Sequence, residues 1–331
     1  MKNTFKKTQG LSLVELMVAM TVSAILMLGI SEIFSINSRS YKVQDENARM
    51  QENGRFAFNT LMSDMRRAGY FGGNADILNI TGTSGIVTPT NTCPNDNTWG
   101  RMLGRRIIGM NDVNTGYTCI TNYSRGDIVV IRNTKGQNIS ATEMAANPNR
   151  FYIRNSLFEG RLFVGSAQDV AINISNDVSD SPVTVQELSS SAYYIGTTNR
   201  SCRFKDSANN AIPITALYRE TLNSNGIPTQ EEVASGIEDL QVQYGVDSDD
   251  DTYVNQYFNA NDIDGTPSWD KVVAARFWIL VRADCPTNNY TNSKIYVMGD
   301  KDDPVGTGGY KPNDGFKRQL YSTTVNLRNG L

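Results

Sequence analysis

Histidine is missing from all 331 residues. Its absence excludes Ser-His-Asp and Cys-His nucleophilic sites and every histidine-ligated metal centre. Carboxylate pairs, Ser-Lys arrangements and oxygen-ligated metals are the chemistry left open, and no stretch of the chain gathers such a set. Cysteine is scarce, at four, and no CxxC occurs, so the spacing of a zinc site is absent too. Positive charge is not in surplus: 31 Lys and Arg against 34 Asp and Glu leave a net charge of −3, so direct nucleic-acid binding is not expected. Proline is absent from Ser31 to Ala68, and no convincing internal repeat occurs.

Long apolar runs are rare, and one stands out. Leu11 to Ile30, "LSLVELMVAMTVSAILMLGI", is about 20 residues, which as a helix is roughly 30 Å and matches the hydrocarbon core of a bilayer. Lys2, Lys6 and Lys7 precede it, and Glu32, Asp45 and Glu46 follow, which places residues 1–10 in the cytoplasm and the remainder outside. A secretory signal has a shorter apolar stretch and a small-x-small cleavage site, and the exit "SEIFSINSRS" offers none. A plain signal anchor explains the span and the lysines. It leaves Glu15 as a cost of about 2.5 to 3.5 kcal/mol, and an acid at that depth calls for a partner.

A short basic leader ending in Gly10, then an apolar helix from Leu11 with Glu15 as its fifth residue, resembles the class III signal of type IV pilins and pseudopilins. The resemblance implies that a prepilin peptidase cuts between Gly10 and Leu11 and methylates the new amine of Leu11, which stands where many relatives carry Phe or Met. Loss of three leader lysines takes the net charge from −3 to −6. In a stack of such helices the amine of Leu11 on one subunit can lie beside the Glu15 carboxylate of a neighbour, and a buried charge is tolerable only when paired. Glu15 is thus read as an assembly residue. The partners implied are other minor and major pilins, the prepilin peptidase and the inner-membrane assembly machinery.

The helical pattern continues past the span. Met50, Gly54, Phe58, Leu61 and Met65 form one apolar stripe, Arg66 and Arg67 suit a helix C-terminus, and Gly69 suits a cap. Residues 31–69 are therefore expected to be the soluble half of one long helix. Arg55, Phe56, Ala57, Leu61, Arg66, Ala68, Gly69 and Tyr70 resemble the helix end of PilW-type minor pilins, which are similar to the J-type pseudopilins of type II secretion. Where relatives often carry a cysteine this chain has Gly72 and Gly73, so a disulfide there is absent.

Residues 70–331 are rich in Asn, Thr, Ser, Gly and Asp with short apolar runs, which suggests an extracytoplasmic β-rich head with long loops. "KVVAARFWILVRA" is apolar on both faces except at Arg276 and reads as a central strand. With "QVQYGV" and the last strand it should form the antiparallel sheet under the helix stripe. Residues 75–225 read as an insertion. The fold class expected is α+β, the type IV pilin fold. Cys93, Cys119, Cys202 and Cys285 all lie beyond the membrane in an oxidising compartment. They allow three connectivities, of which the shortest loops pair Cys93 with Cys119 and Cys202 with Cys285.

In "GVDSDDDTYVNQYFNANDIDG", Asp247, Asp249 and Asp251 repeat the first, third and fifth positions of a calcium loop. Thr252 replaces the following glycine and Phe258 stands in the place of the bidentate Glu, so this is no EF-hand. A solvated acidic loop is the reading taken, with no cofactor. The alternative is a calcium site aided by Asn255, Asp262 or Asp264. "GDKDDPVG", with Asp300, Asp302 and Asp303, is a weaker candidate. The sequence reads as a non-enzymatic minor pilin of the inner membrane, with a periplasmic head, that primes a type IV pilus near its tip. The alternatives are a J-type pseudopilin and a membrane-anchored adhesin or binding protein.

Overall fold

With no proline from Ser31 to Ala68, every backbone N–H of that stretch is free for the i to i−4 ladder, and helix α1 spans Leu13–Arg66. The computed structural model describes residues 10, 12–73, 80–82, 86–156, 159–167, 183–263, 268–301, 308–327 and 329. They fall into two compact units, one ending at Arg49 and one beginning at Met50. At the helix end the N–H groups of Arg67 and Ala68 turn to the carbonyls of Asp64 and Met65, and Gly69 takes φ +75°. A Cβ at Gly69 would lie 2.6 Å from the Asn329 carbonyl oxygen, so glycine is required by conformation and by space.

The second unit contains two sheets. The strands of the first are β1 (Ile80–Gly82), β2 (Ile107–Met110), β3 (Tyr123–Asn138), β4 (Phe151–Asn155), β5 (Gly160–Val164), β6 (Thr184–Lys205), β7 (Ala211–Leu222) and β8 (Pro228–Ser235). They run in the order β1-β5-β4-β6-β3-β2, with β7 and then β8 added to β6. The 22-residue β6 makes this branching possible: its first part pairs with β4, its later part with β7, and β3 lies along its other side. A short helix, α2 (Ala141–Ala146), starts on a capping box between Ser140 and Glu143. The second sheet is antiparallel, in the order β10 (Gln256–Phe258), β9 (Ile237–Val246), β11 (Val272–Arg282), β12 (Arg318–Asn326).

The expected sheet of three strands is present as β9, β11 and β12, and α1 lies on it. Phe58 sits 5.3 Å from the Phe277 ring and 6.1 Å from the Tyr321 ring. Gly54, Ala57, Leu61, Asp64 and Met65 are buried, while Met50 and Phe58 are half-buried. On the helix side of β11, Ala275, Phe277, Ile279 and Val281 are all buried, and an irregularity between Val272 and Ala274 brings Val272 into the same core. The far side departs from the sequence expectation, because Arg276 and Trp278 are only half-buried there. Its cover is a loop, not a layer: Tyr296 and Met298 pack on Leu280, and Arg276 is left lying 4.3 Å over the Tyr257 ring. The boundary expected at residue 225 also moves. It would cut the β7–β8 hairpin, whose turn is closed by Asn223 N–H on the Ile227 carbonyl, and the first sheet continues to Ser235.

Buried polar groups join the layers. The Asp64 carboxylate accepts the Tyr193 hydroxyl of β6 and pairs with Arg67 at 2.5 Å, and Arg219 of β7 stands 3.8 Å away. Asp127 of β3 accepts the N–H groups of Val242 (2.7 Å) and Asp112 (3.0 Å), which serves β9 where the short β10 does not reach. Arg318 of β12 forks onto Glu238 of β9, while Arg125 of β3 holds Asp239 at 3.0 Å. Glu220 of β7 is the exception. It is 1% exposed, accepts only the Tyr194 hydroxyl at 3.2 Å, and has no cation partner among the described residues. Burial pushes its pKa up to about 7, against the smaller opposite pull of that hydrogen bond.

Two tests follow from this packing. A Cβ at Gly54 would lie 2.6 Å from Tyr321 Cε2 and 2.8 Å from Val281 Cγ2. Overpacking costs about 1 to 3 kcal/mol, more than the roughly 1 kcal/mol that alanine adds to a helix, so Gly54→Ala should lower the denaturant midpoint. For Glu220 the folded chain favours the neutral acid, so its stabilising contribution is full below pH 4.5 and fades as pH rises to about 7. Glu220→Gln should therefore gain stability over wild type between pH 4.5 and 7 and hold that gain at pH 8; a constant difference at all pH values would show that the carboxyl does not titrate in this range.

Candidate functional site

The first unit is a helix whose side chains divide by chemistry alone. Leu13, Ile25, Met27, Leu28 and Phe34 are each about two-thirds or more exposed and point to different sides of α1. A helix apolar all round is not stable facing water and suits a bilayer or a bundle of like helices. The polar side chains inside the run are satisfied locally: Thr21 Oγ1 donates to the Val18 carbonyl at 2.9 Å and Ser23 Oγ to the Ala19 carbonyl at 2.7 Å. Backbone and hydroxyls alike thus leave no donor needing water between Val18 and Ser23 beyond the helix ladder.

Glu15 is placed by a device that the apolar pattern did not reveal. Ser12 stands just before the helix, its Oγ accepts the Val14 N–H at 3.3 Å, and the Glu15 Oε2 accepts the Ser12 N–H at 3.2 Å. This is the logic of a capping box, with the carboxylate also at the positive end of the helix dipole. The Ser-x-x-Glu signature before an apolar run was legible as Ser12 and Glu15. A carboxylate has about four lone-pair positions, and the cap occupies one, so Glu15 still has capacity for a cation. Gly10 is exposed with nothing within 4 Å of a Cβ placed on it. Leu11 and the leader lysines Lys2, Lys6 and Lys7 lie outside the described residues.

In the second unit the four cysteines form two disulfides. Cys93–Cys119, with 5.5 Å between Cα atoms, closes the loop that leads into β3. Cys202–Cys285, at 5.3 Å, links β6 of the first sheet to the chain just after β11 of the second. By loop-closure entropy the separations of 26 and 83 residues correspond to about 3.5 and 4.5 kcal/mol.

Asp247, Asp249 and Asp251 come together, with carboxylate oxygens within 4.8 Å of one another. Asp247 is buried and already engaged: its oxygens accept the N–H groups of Asp249 (3.2 Å), Asp250 (2.8 Å) and Thr252 (2.8 Å). Burial opposes its charge, yet these three donors outweigh that and its pKa is lowered. Asp251 accepts the Tyr253 N–H, Asp250 pairs with Lys271, and Asn255 Oδ1 accepts from Ser248. Asp262 lies in a short helical turn away from this exchange, and Asp264 lies outside the described residues. The second acidic stretch is similar: Asp300 accepts Asn111 Nδ2 at 2.8 Å, and Asp302 and Asp303 lie outside the described residues. The loop is therefore organised by its own amides, with the acids acting as turn makers.

With this geometry in hand, the comparisons with known proteins divide along the chain. The family model of the prokaryotic N-terminal methylation motif matches residues 5–31. That of Type IV Pilus-assembly protein W matches residues 192–329, from within β6 to beyond β12, leaving β1 to β5 unmatched. A type IV-like pilin from Thermus thermophilus is similar at 14% identity, with a TM-score of 0.35, over 86% of this chain and 99% of its own. No curated protein matches. The chain carries an N-terminal methylation motif, an apolar helix and a β-sheet head whose C-terminal part is PilW-like.

If the acidic loop is a turn device, calcium should leave it indifferent. The melting temperature of the full chain in detergent is expected to be the same in millimolar calcium and in chelator, for wild type and for Asp249→Ala alike; a chelator-dependent drop that Asp249→Ala abolishes would establish a metal site instead.

Proposed function

We propose that this protein is a minor pilin that takes part in priming or assembly of a type IV pilus, near its tip. Residues 1–10 are its leader, removed after Gly10; Leu11 carries the methylated amine; residues 11–30 anchor it in the inner membrane, and the head from residue 70 stands in the periplasm until assembly. The observation that carries this reading is Glu15, the one acid in the apolar run from Leu11 to Ile30, placed within a matched methylation motif. In a filament its free lone pairs would take the amine of a neighbour's Leu11. The PilW-like region of the head supports a minor over a major subunit. The head works by contact and not by catalysis: the chain has no histidine, and the buried Asp64, Asp127, Glu238 and Asp239 are engaged in joining layers.

A second reading has its own observation. The Ser12–Glu15 cap accounts for Glu15 without any neighbour, which would leave a plain membrane-anchored binding protein. A J-type pseudopilin shares the assembly logic and differs in the machine served.

The two roles of Glu15 separate by substitution. Glu15→Gln keeps an oxygen for the Ser12 N–H but removes the charge, Glu15→Leu removes both, and Ser12→Ala weakens the cap alone. If the charge pairs with a neighbour's amine, stranding that amine costs about 3 to 5 kcal/mol. Both Glu15 variants should then insert and be cleaved normally, appear by mass spectrometry as chains beginning at N-methylated Leu11, and lose co-purification with other pilins. Ser12→Ala should retain it. Undiminished co-purification of Glu15→Gln would assign Glu15 to the cap and favour the anchored binding protein, and an uncleaved Met1 would end the pilin reading.

A further inference from the structure

Sheet edges are where a strand can add to a neighbour, and this molecule treats its edges unequally. β1 and β10 are three residues long. β2 is four residues, all buried. β8 carries Pro228, Glu231 and Glu232, and its pairing is broken by an irregularity at Leu217/Tyr218. β12 has none of these guards. It runs nine residues, pairs with β11 in unbroken register from Arg318 to Asn326, and has no proline and no charged side chain from Gln319 to Asn326.

The direction of its backbone groups follows from the register. Leu327 N–H donates to the Val273 carbonyl, and Ala283 N–H donates to the Lys317 carbonyl, at the two ends of the β11–β12 ladder. In an antiparallel pair, alternate residues bond inward, so the odd-numbered residues of β12 serve β11 and the even-numbered ones face out. The N–H groups of Leu320, Ser322, Thr324 and Asn326 therefore point away from the sheet, and none has a partner among the described residues. The side chains of Ser322, Thr324 and Asn326 are exposed.

The flank of this edge is charged on one side. Tyr321 of β12 packs on Phe58 of α1, and a Cβ on Gly54 would lie 2.6 Å from the Tyr321 ring, which brings Arg55, the next residue of α1, to this edge. Arg66 lies three turns further along the same side of α1. Both are exposed, and neither has an ion pair among the described residues. The half-buried Met62 lies between them.

We infer that the β12 edge is a docking surface for an extended strand of a different protein, bound by backbone hydrogen bonds to Leu320, Ser322, Thr324 and Asn326, with acidic side chains on one face of that strand, about four to six residues apart, set against Arg55 and Arg66. Backbone pairing supplies the affinity, and the two guanidiniums select which face of the incoming strand turns toward α1. This does not depend on where the protein sits in a filament, nor on Glu15.

The test uses the full-length chain in the membranes of producing cells, with a photoreactive phenylalanine in place of Thr324. The cross-linked peptide is then identified by mass spectrometry. The expected product is one peptide from another protein, with at least two acids on one face, about four to six residues apart. Ser322→Pro removes an outward N–H without touching the β11 ladder and should reduce the product at least tenfold, whereas Ser322→Ala should retain it. Arg55→Glu with Arg66→Glu should reduce it similarly. If Ser322→Pro loses its thermal transition, Asn326→Pro is read in its place. A product from a second copy of this chain, a peptide without acids, no product, or a yield unchanged by the proline and charge-reversal variants would each overturn the inference.

Discussion

The second half of α1 must lie close to two sheets at once, and most of the head is arranged around that constraint. On one side Gly54 brings the helix backbone against Tyr321 and Val281, an approach that no larger residue permits without movement. On the other, Asp64 reaches Tyr193 of the first sheet, and Asn53 donates to the Ser235 carbonyl at the end of β8. A purely apolar helix face would satisfy either sheet by area alone. The polar contacts on the first-sheet side have directions, so they fix the rotation of the helix as well as its distance.

Between the sheets the same division of labour recurs. Apolar area supplies the attraction, and buried charge pairs decide which strands meet. Glu238 and Asp239 of β9 draw together Arg125 of β3, Arg282 of β11 and Arg318 of β12. Removing one member would strand the others at about 3 to 5 kcal/mol, although the intact set is not thereby a source of great stability. Cys202–Cys285 acts across the same junction, as a tether on the unfolded chain more than as a contact in the folded one. The first unit obeys another rule: its apolar side chains from Leu13 to Phe34 are exposed, and a surface of that kind suits a bilayer or other helices.

Under the proposed assembly role, one side chain, Glu15, serves both a local and a distant contact. In the single chain it closes a capping box, which depends on four consecutive residues. In an assembly its remaining lone pairs can take a charge from outside. A residue seen as an anomaly in an apolar run was thus also an ordinary helix start, and a reading that looked only for a distant partner passed over the near one.

What the sequence determined by itself are the features set by local periodicity and composition. The span is apolar whatever surrounds it, α1 lacks proline throughout its second half, Gly69 ends it, and the run "KVVAARFWILVRA", apolar on both faces, marks the central strand of a sheet under the helix. These follow from neighbours in the chain and needed no knowledge of its distant parts. Tertiary structure decided the rest. That Asp64 joins the buried stripe depends on Tyr193, which lies 129 residues away. That the first sheet runs on to Ser235 depends on a hairpin pairing β7 with β8 across the boundary at residue 225 that composition suggested. Arg276 and Trp278 are half-open because a loop rather than a layer covers that face of β11, and no alternation of side chains records the thickness of what will be packed on them. Three aspartates spaced like metal ligands are gathered in a turn whose backbone N–H groups donate to Asp247 and Asp251, an arrangement set by φ and ψ and not by spacing.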